Sequence, residues 1–329
     1  MKASVRGSTA IDPALVERFA KALDRLNPEG GKLGLAVSGG PDSMAMLLLA
    51  QKAIPGAFEV ATVDHGLRPE AKDECALVVA ACEEREVPCQ VLTVKVAEGN
   101  VQAKAREARY EALADWATDR DLDLVATAHH LDDQVETFFM RLNRASGVSG
   151  LACIRESDVV PHPIWIVALV RPLLGFRREE LAAIVATASV SFAHDPSNSD
   201  DKYDRVRVRQ ALAQSSWINF EAVARSAQHI ARADEALTEI DIRMVVKNLR
   251  HVDGVKHFRP TGMPSLDFRF LQQVFTFEGR PARGEAVSRL QTSLMRGEGG
   301  NIGGVLVTVE GDEWVFRPEP PRKTKGKTG

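Results

Sequence analysis

The sequence predicts an α/β protein: a doubly wound, mostly parallel sheet followed by a smaller helical or α+β C-terminal part. Two observations carry this. Short apolar runs alternate with amphipathic helical stretches from about residue 30 to residue 145, the pattern of successive βαβ units. Beyond about residue 216 the alternation gives way to one long charged helix and a terminal hairpin. The divisions expected are 1–29 (an N-terminal extension and helix), 30–215 (the sheet domain), 216–318 (a helical linker and small domain) and 319–329 (a polar tail).

Each element can be justified in turn. "KLGLAVS" from Lys32 reads as a strand and "DSMAMLLLAQKA" from Asp42 as a helix. "FEVATVDHG" from Phe58 is a second strand. In the following "AKDECALVVAACEEREV" apolar residues recur every three or four positions, as one face of a helix requires. "CQVLTVKV" from Cys89 and "LVATAHH" from Leu124 are further strands. They are followed and preceded, respectively, by the helical "NVQAKAREARYEALADWATDRD" from Asn100, and "LDDQVETFFMRLNRA" from Leu131 is the next helix. After Gly147 come the apolar "IWIVALVRPLLGF", the helical "RREELAAIVATA" and the loop "AHDPSNSDDKYD". The long stretch from Ile218 to Leu249 is an amphipathic helix, and "GGVLVTVEGDEWVFRP" is a hairpin turning at Glu310-Gly311-Asp312. The tail "PRKTKGKTG" carries cations and no apolar residue, which predicts disorder.

Bulk properties narrow the function. The 329 residues are 44% hydrophobic and 26% charged with a formal charge of −3, so a polyanion site must be a local basic patch. Cys75, Cys82, Cys89 and Cys153 form no Cys-x-x-Cys pair, which argues against a zinc ribbon or a two-cysteine redox motif. No apolar run is long enough for a membrane span and the N-terminus has no signal-like core, so a cytoplasmic protein without a membrane partner is expected.

Ligands of such sheets bind beyond the carboxyl ends of the strands, and there the polar residues gather. Ser38-Gly39-Gly40-Pro41-Asp42-Ser43 stands between a buried strand and a helix. Free N–H groups at that helix start suit a phosphate, glycines let the backbone come close, and the two hydroxyls add donors. Neither the Lys-Ser/Thr of a Walker A loop nor a Gly-x-Gly-x-x-Gly fingerprint is present, and the late "GKT" at Gly326-Lys327-Thr328 lacks a strand and glycine loop before it. A second stretch, Asp64-His65-Gly66-Leu67-Arg68, ends a strand. A third, "ATAHHLDDQVET", gathers His129, His130, Asp133 and Glu136 at the ligand end. Metal binding or proton transfer suits that third group. Zinc fits its spacing, but Mg²⁺ on carboxylates and phosphates suits nucleotide chemistry better. Extended, "RVRVR" would put Arg205, Arg207 and Arg209 on one side, a ribbon of cations for a phosphate backbone.

The hexapeptide resembles the loop of the N-type ATP pyrophosphatases of the PP-loop superfamily, which grip the pyrophosphate end of ATP. The set "SGGPDS", "HGLR", "AREARY", "HHLDDQVET", "SGVSGL", "RPLL" and "DPSN", in that order, resembles the tRNA(Ile)-lysidine synthetases over residues 30–210. Two positions depart from the family pattern: Ala145 replaces a glycine in Arg-Gly-Ser-Gly, and Val206 replaces an asparagine in Arg-Asn-x-x-Arg. The resemblance implies an adenine nucleotide α-hydrolase-like fold of short form. It further implies that ATP adenylylates O2 of the wobble cytidine in a CAU-anticodon tRNA(Ile), after which free L-lysine attacks C2 and expels AMP. On that basis Ser38–Ser43 would bind ATP, with Asp42 and Asp133 on Mg²⁺, and Arg109 and Arg106 facing the α-phosphate. Asp133 or His129 is then the candidate base, and His65, Arg68, Arg205, Arg207 and Arg209 are candidates for substrate or tRNA contacts. A homodimer is compatible with the sequence. Two rivals share the loop: a tRNA 2-thiocytidine enzyme, which calls for paired cysteines, and an amide-forming ATP pyrophosphatase, which lacks the "HGLR" and "ARY" segments.

Overall fold

The computed structural model describes residues 10–66, 70–96, 101–160, 162, 164, 166–193, 204–277, 282 and 284–319. Arg68, the loop at Gly99-Asn100, the Asp195–Asn198 segment and the basic tail lie outside the described residues. The chain divides into two compact units, Met1–Ala231 and Arg232–Gly329.

In the first unit, helix α1 (Pro13–Leu26) precedes β1 (Leu33–Ala36), α2 (Pro41–Ala53), β2 (Phe58–Asp64), α3 (Glu70–Glu83) and β3 (Cys89–Thr93). There follow α4 (Val101–Asp119), β4 (Leu124–Thr127), α5 (Leu131–Leu142), α6 (Val148–Leu151), β5 (Ser157–Val160), β6 (Val167–Val170), α7 (Arg178–Ala188), α8 (Asp204–Ala213) and α9 (Phe220–Asn248). The sheet order is β3-β2-β1-β4-β6-β5, parallel throughout except for β5, which runs antiparallel to β6 at the edge. The α/β reading with a doubly wound, mostly parallel sheet therefore holds.

Alternation along the strands explains the two covered faces. Leu33 and Leu35 of β1 and Leu124 and Ala126 of β4 join a core with Phe19 of α1, Met44 and Leu49 of α2, and Ile184 of α7. Val125, on the opposite face, packs with Leu113 and Trp116 of α4 and Leu169 of β6. α1 reaches the core through Phe19 and Leu23, four positions apart, and starts at Asp12, whose carboxylate accepts the Ala14 N–H at 2.9 Å. α2 is buried from Ser43 to Ala50, as a helix laid beneath the central strand must be.

The sheet order positions the site. From β1 the chain winds outward through β2 and β3, then crosses back to begin again at β4 on the other side of β1. The crevice between the carboxyl ends of β1 and β4 is the switch point where such sheets bind ligands. Those two ends deliver the Ser38–Ser43 loop and the His129–Asp133 segment.

One expectation is corrected. "RVRVR" is helical, within α8, and its arginines do not form one ribbon. Only Val206 of its valines is buried; Val208 is half-buried against α5. Arg205 and Arg209, one helical turn apart, both reach Glu136, whereas Arg207 turns to Asp204. Tertiary ion pairs at helical spacing outweigh the alternating pattern.

The second unit takes α9 from Arg232, then β7 (Leu249–Val252), β8 (Val255–Phe258), α10 (Pro264–Phe277), α11 (Gly284–Met295), β9 (Gly300–Ile302), β10 (Val305–Glu310) and β11 (Glu313–Pro318). Its sheet, β7-β8-β11-β10-β9, is antiparallel throughout. The β10–β11 hairpin turns at Gly311 with φ +63°, a conformation glycine adopts at little cost. Phe258, Phe270, Phe275, Val307, Trp314 and Phe316 make the core. Beside it Arg269 bonds Asp241 at 2.7 Å and Asp234 at 3.0 Å. Among the described residues no helix is long and apolar enough to cross a membrane.

Candidate active site

The Ser38–Ser43 loop is held so that its amides are left open. Gly39 sits at φ +84°, and a Cβ there would lie 3.0 Å from the Glu74 carbonyl oxygen, so both conformation and space demand glycine. The Ala193 N–H donates to the Gly39 carbonyl at 2.9 Å. The Ser43 hydroxyl donates to the Gly40 carbonyl at 2.9 Å and accepts the Ser38 N–H at 3.1 Å. Pro41, at the first turn of α2, has no N–H to spend. The N–H groups of Gly39, Gly40, Asp42 and Ser43 find no acceptor among the described residues. Open amides at the positive end of a buried helix dipole make an anion cradle.

The carboxylates from the two crossovers meet at His130, which is 1% exposed. Its Nε2 lies 3.5 Å from Asp42 Oδ2 and 3.6 Å from Asp133 Oδ2, and its Nδ1 lies 3.8 Å from Asp132 Oδ2. Burial alone would depress the imidazole pKa; the hydrogen bond to Asp42 and the charges of Asp133 and Asp42 outweigh it and raise it. His130, a member of the third polar group with no individual role expected of it, is the residue on which the acids converge. The signal in the sequence was its place as the last residue before a helix opening on Asp132-Asp133, where the Asp133 carboxylate accepts its backbone N–H at 3.1 Å.

His129 lies in different company. Burial, then the charges of Arg171, Arg109, Arg106 and Arg205, drive its pKa down to about 3. It is neutral at physiological pH, with Nδ1 3.0 Å from the Thr127 hydroxyl. Two of these cations, Arg106 and Arg109, have no acidic partner among the described residues. Arg106 and Arg109 stack on the Tyr110 ring at 4.9 and 5.1 Å from its centroid. Arg109 Nε and the Tyr110 hydroxyl are buried without a hydrogen-bond partner. Unpaired buried donors beside cations can serve an anion.

A second cluster faces the first across Asp133. Glu136, 1% exposed, accepts from Arg178 at 2.9 Å, Arg205 at 2.7 Å and Arg209 at 2.8 Å. Burial would raise its pKa, but those hydrogen bonds and charges hold it at about 2. Arg205 also bonds Asp133 at 2.6 Å. The structure thus brings together Asp42, Asp133, Arg205 and Arg209 and adds His130 and Glu136. Arg207 stands apart on Asp204, together with Arg144 at 2.9 Å. His65 ends β2 beside an Asp64 carboxylate that accepts the Gly66 N–H at 2.8 Å.

Residues 12–216 match the PP-loop domain family. The tRNA(Ile)-lysidine synthase of Zymomonas mobilis is 42% identical over 303 residues, covering 90% of this chain and 91% of its own. The chain belongs to the tRNA(Ile)-lysidine synthase family. The Novosphingobium aromaticivorans member of that family is 41% identical across 93% of this chain and 94% of its own length. The Ruegeria pomeroyi member is 38% identical across 85% and 69%. Among solved structures, a U34-tRNA thiolase from Methanococcus maripaludis shares the fold, with a TM-score of 0.54, 16% identity, and coverage of 66% of this chain and 78% of that one. The PP-loop family carries ATP use with it.

Proposed function

We propose that this chain makes lysidine: it joins free L-lysine to C2 of the wobble cytidine in a CAU-anticodon tRNA(Ile), converting ATP to AMP and pyrophosphate, in the cytoplasm. The observation that carries the proposal is the row of unclaimed N–H groups at Gly39, Gly40, Asp42 and Ser43 beside the convergent carboxylates of Asp42 and Asp133.

The donor set fits Mg²⁺. Among the described residues no three His, Cys, Asp or Glu gather as a protein-only metal site. Two carboxylates completed by phosphate oxygens are what Mg²⁺ takes. Asp42 and Asp133 would hold it, and it would neutralise charge on the departing pyrophosphate.

In the first step the cytidine O2 attacks the α-phosphorus and the bond to the β-phosphate oxygen breaks. The open amides hold the β and γ phosphates in place. Arg106 and Arg109, which have no carboxylate partner among the described residues, face the charge that develops on the α-phosphate. In the second step the lysine side-chain nitrogen forms its bond to C2 and AMP leaves with the bonding electron pair. A lysine ammonium has a pKa near ~10.4 and must first lose a proton. A group that binds protons only below about 3, as His129 does, is a poor acceptor. Asp133, paired with Arg205 at 2.6 Å, is the other candidate to assist that loss.

The test is product analysis. The purified chain is incubated with labelled ATP, lysine and tRNA(Ile), and the RNA is digested for mass spectrometry. Lysine-bearing cytidine with AMP release that needs both lysine and tRNA is the expected result. Sulfur incorporation, or turnover without RNA, would remove the proposal.

A further inference from the structure

Trp217 is 82% exposed, yet its backbone is pinned. It lies in the turn between α8 and α9. There the Ser215 N–H donates to the Leu212 carbonyl at 3.0 Å, the Ile218 N–H to the Ser215 carbonyl at 3.3 Å, and Asn219 caps α9 through the Ala222 N–H at 2.8 Å. The neighbouring apolar residues turn inward. Ile218, Phe220 and Val223 pack with Leu131, Val135 and Phe139 of α5. Phe220 carries the Arg177 guanidinium 4.4 Å above its ring, and Arg177 bonds Asp132 at 3.3 Å, one residue from Asp133. The turn is therefore fastened to the end of α5 that bears the site, and Trp217 alone of its apolar side chains is held out in water. A rigid, outward indole costs hydration and gains nothing in the isolated chain.

The surroundings favour RNA as its partner. Arg141 on α5 and Arg225 on α9, helices of the same packed cluster, are exposed and have no acidic partner among the described residues. Arg207 on α8 is 65% exposed. Exposed cations on the helices that flank a presented aromatic side chain suit single-stranded RNA, which proteins hold by backbone charge and base stacking. The reaction also creates the need. A cytidine whose O2 and C2 must reach the Asp42–Asp133 crevice has to leave its stack, which deprives the adjacent base of its neighbour.

We infer that Trp217 stacks on the anticodon-loop base next to the reacting cytidine, replacing the partner lost when that cytidine enters the site. This rests on the lysidine-forming reading above. Stacking of one base on one aromatic ring is worth about 5- to 150-fold in affinity.

The experiment compares wild type, Trp217→Ala, Trp217→Phe and Trp217→Leu. Kinetics are measured with tRNA(Ile), and binding with an anticodon stem-loop carrying 2-aminopurine in place of the adenine of the CAU triplet, whose fluorescence stacking quenches. The expected result is a rise of about tenfold or more in the Ala variant's KM for tRNA, with KM for ATP and lysine within twofold of wild type. Phe should restore KM and quenching; Leu should not. Wild-type modification with unchanged KM and quenching in the Ala variant would overturn the inference while leaving the proposed reaction intact. Leu restoring as well as Phe would replace stacking with plain apolar contact and overturn it too. A wild-type chain that modifies no tRNA would take down the reading beneath it.

Discussion

The two units each bury a cluster of opposite charges, and the clusters are built with opposite bookkeeping. In the second unit one guanidinium, Arg269, answers two enclosed carboxylates, Asp234 and Asp241, and Gln273 donates to Asp241 at 3.1 Å. Every group is satisfied inside the fold. In the first unit Glu136, with Asp133 sharing Arg205, answers Arg178, Arg205 and Arg209, while Arg106 and Arg109 lie against an aromatic ring and have no acidic partner among the described residues. Positive charge is left over at the switch point of the sheet. The difference separates a cluster balanced within its fold from one with cations to spare, as the proposed reaction requires.

Four changes would break or sharpen that contrast. The largest effect is expected from Arg269→Ala, which strands two buried carboxylates. It should destabilise the second unit by about 3–5 kcal/mol, read as faster amide hydrogen exchange in β10 and β11, with KM for ATP within twofold of wild type. Nearly as large in the other unit, Arg109→Ala should lower kcat about 10²- to 10³-fold while urea stability stays within about 0.5 kcal/mol, because in the proposed reaction the residue would face charge that grows on the α-phosphate. If stability fell instead and kcat held, the surplus cations would be structural and the contrast would dissolve.

Next comes Glu136→Gln. It removes the acid that three partly exposed arginines share, leaving Arg205 only Asp133, and should cost about 2–3 kcal/mol in urea unfolding, less than a fully enclosed pair would. The last effect is absent at neutral pH and concerns acid. His129 has a folded pKa of about 3 against a usual value near 6.5. Between those values the unfolded chain binds the extra proton, so stability rises with pH and falls on acidification through that window. The slope from this one group is at most about 1.4 kcal/mol per pH unit. His129→Asn should flatten the curve between about pH 6.5 and 3 relative to wild type, and an unchanged slope would show that the cations do not press on it.

Much of this site could be read from residues alone, and what escaped has physical causes. The hexapeptide signals itself because a glycine pair, a helix-starting proline and hydroxyls at a strand end answer local needs. The meeting of Asp42 with Asp133 follows from winding order, since β1 and β4 are neighbours although about ninety residues separate the two carboxylates in the chain. Which of two adjacent histidines meets them does not follow from sequence. Neighbours leaving a strand point to opposite sides, and only the packing shows that His130 turns to the acids and His129 to the arginines. The "RVRVR" stretch misled for a related reason. Its alternation is a local signal, whereas its helix is fixed by Glu136, about seventy positions earlier in the sequence.

The loop at Gly39 has one more consequence. Its open donors are all main-chain, and main-chain amides sense charge and shape at the phosphates without distinguishing adenine from guanine. Selection of the nucleobase must be made by contacts elsewhere in the molecule. Changes to the loop should alter turnover of every nucleoside triphosphate alike, and a variant with shifted base preference should map outside Ser38–Ser43.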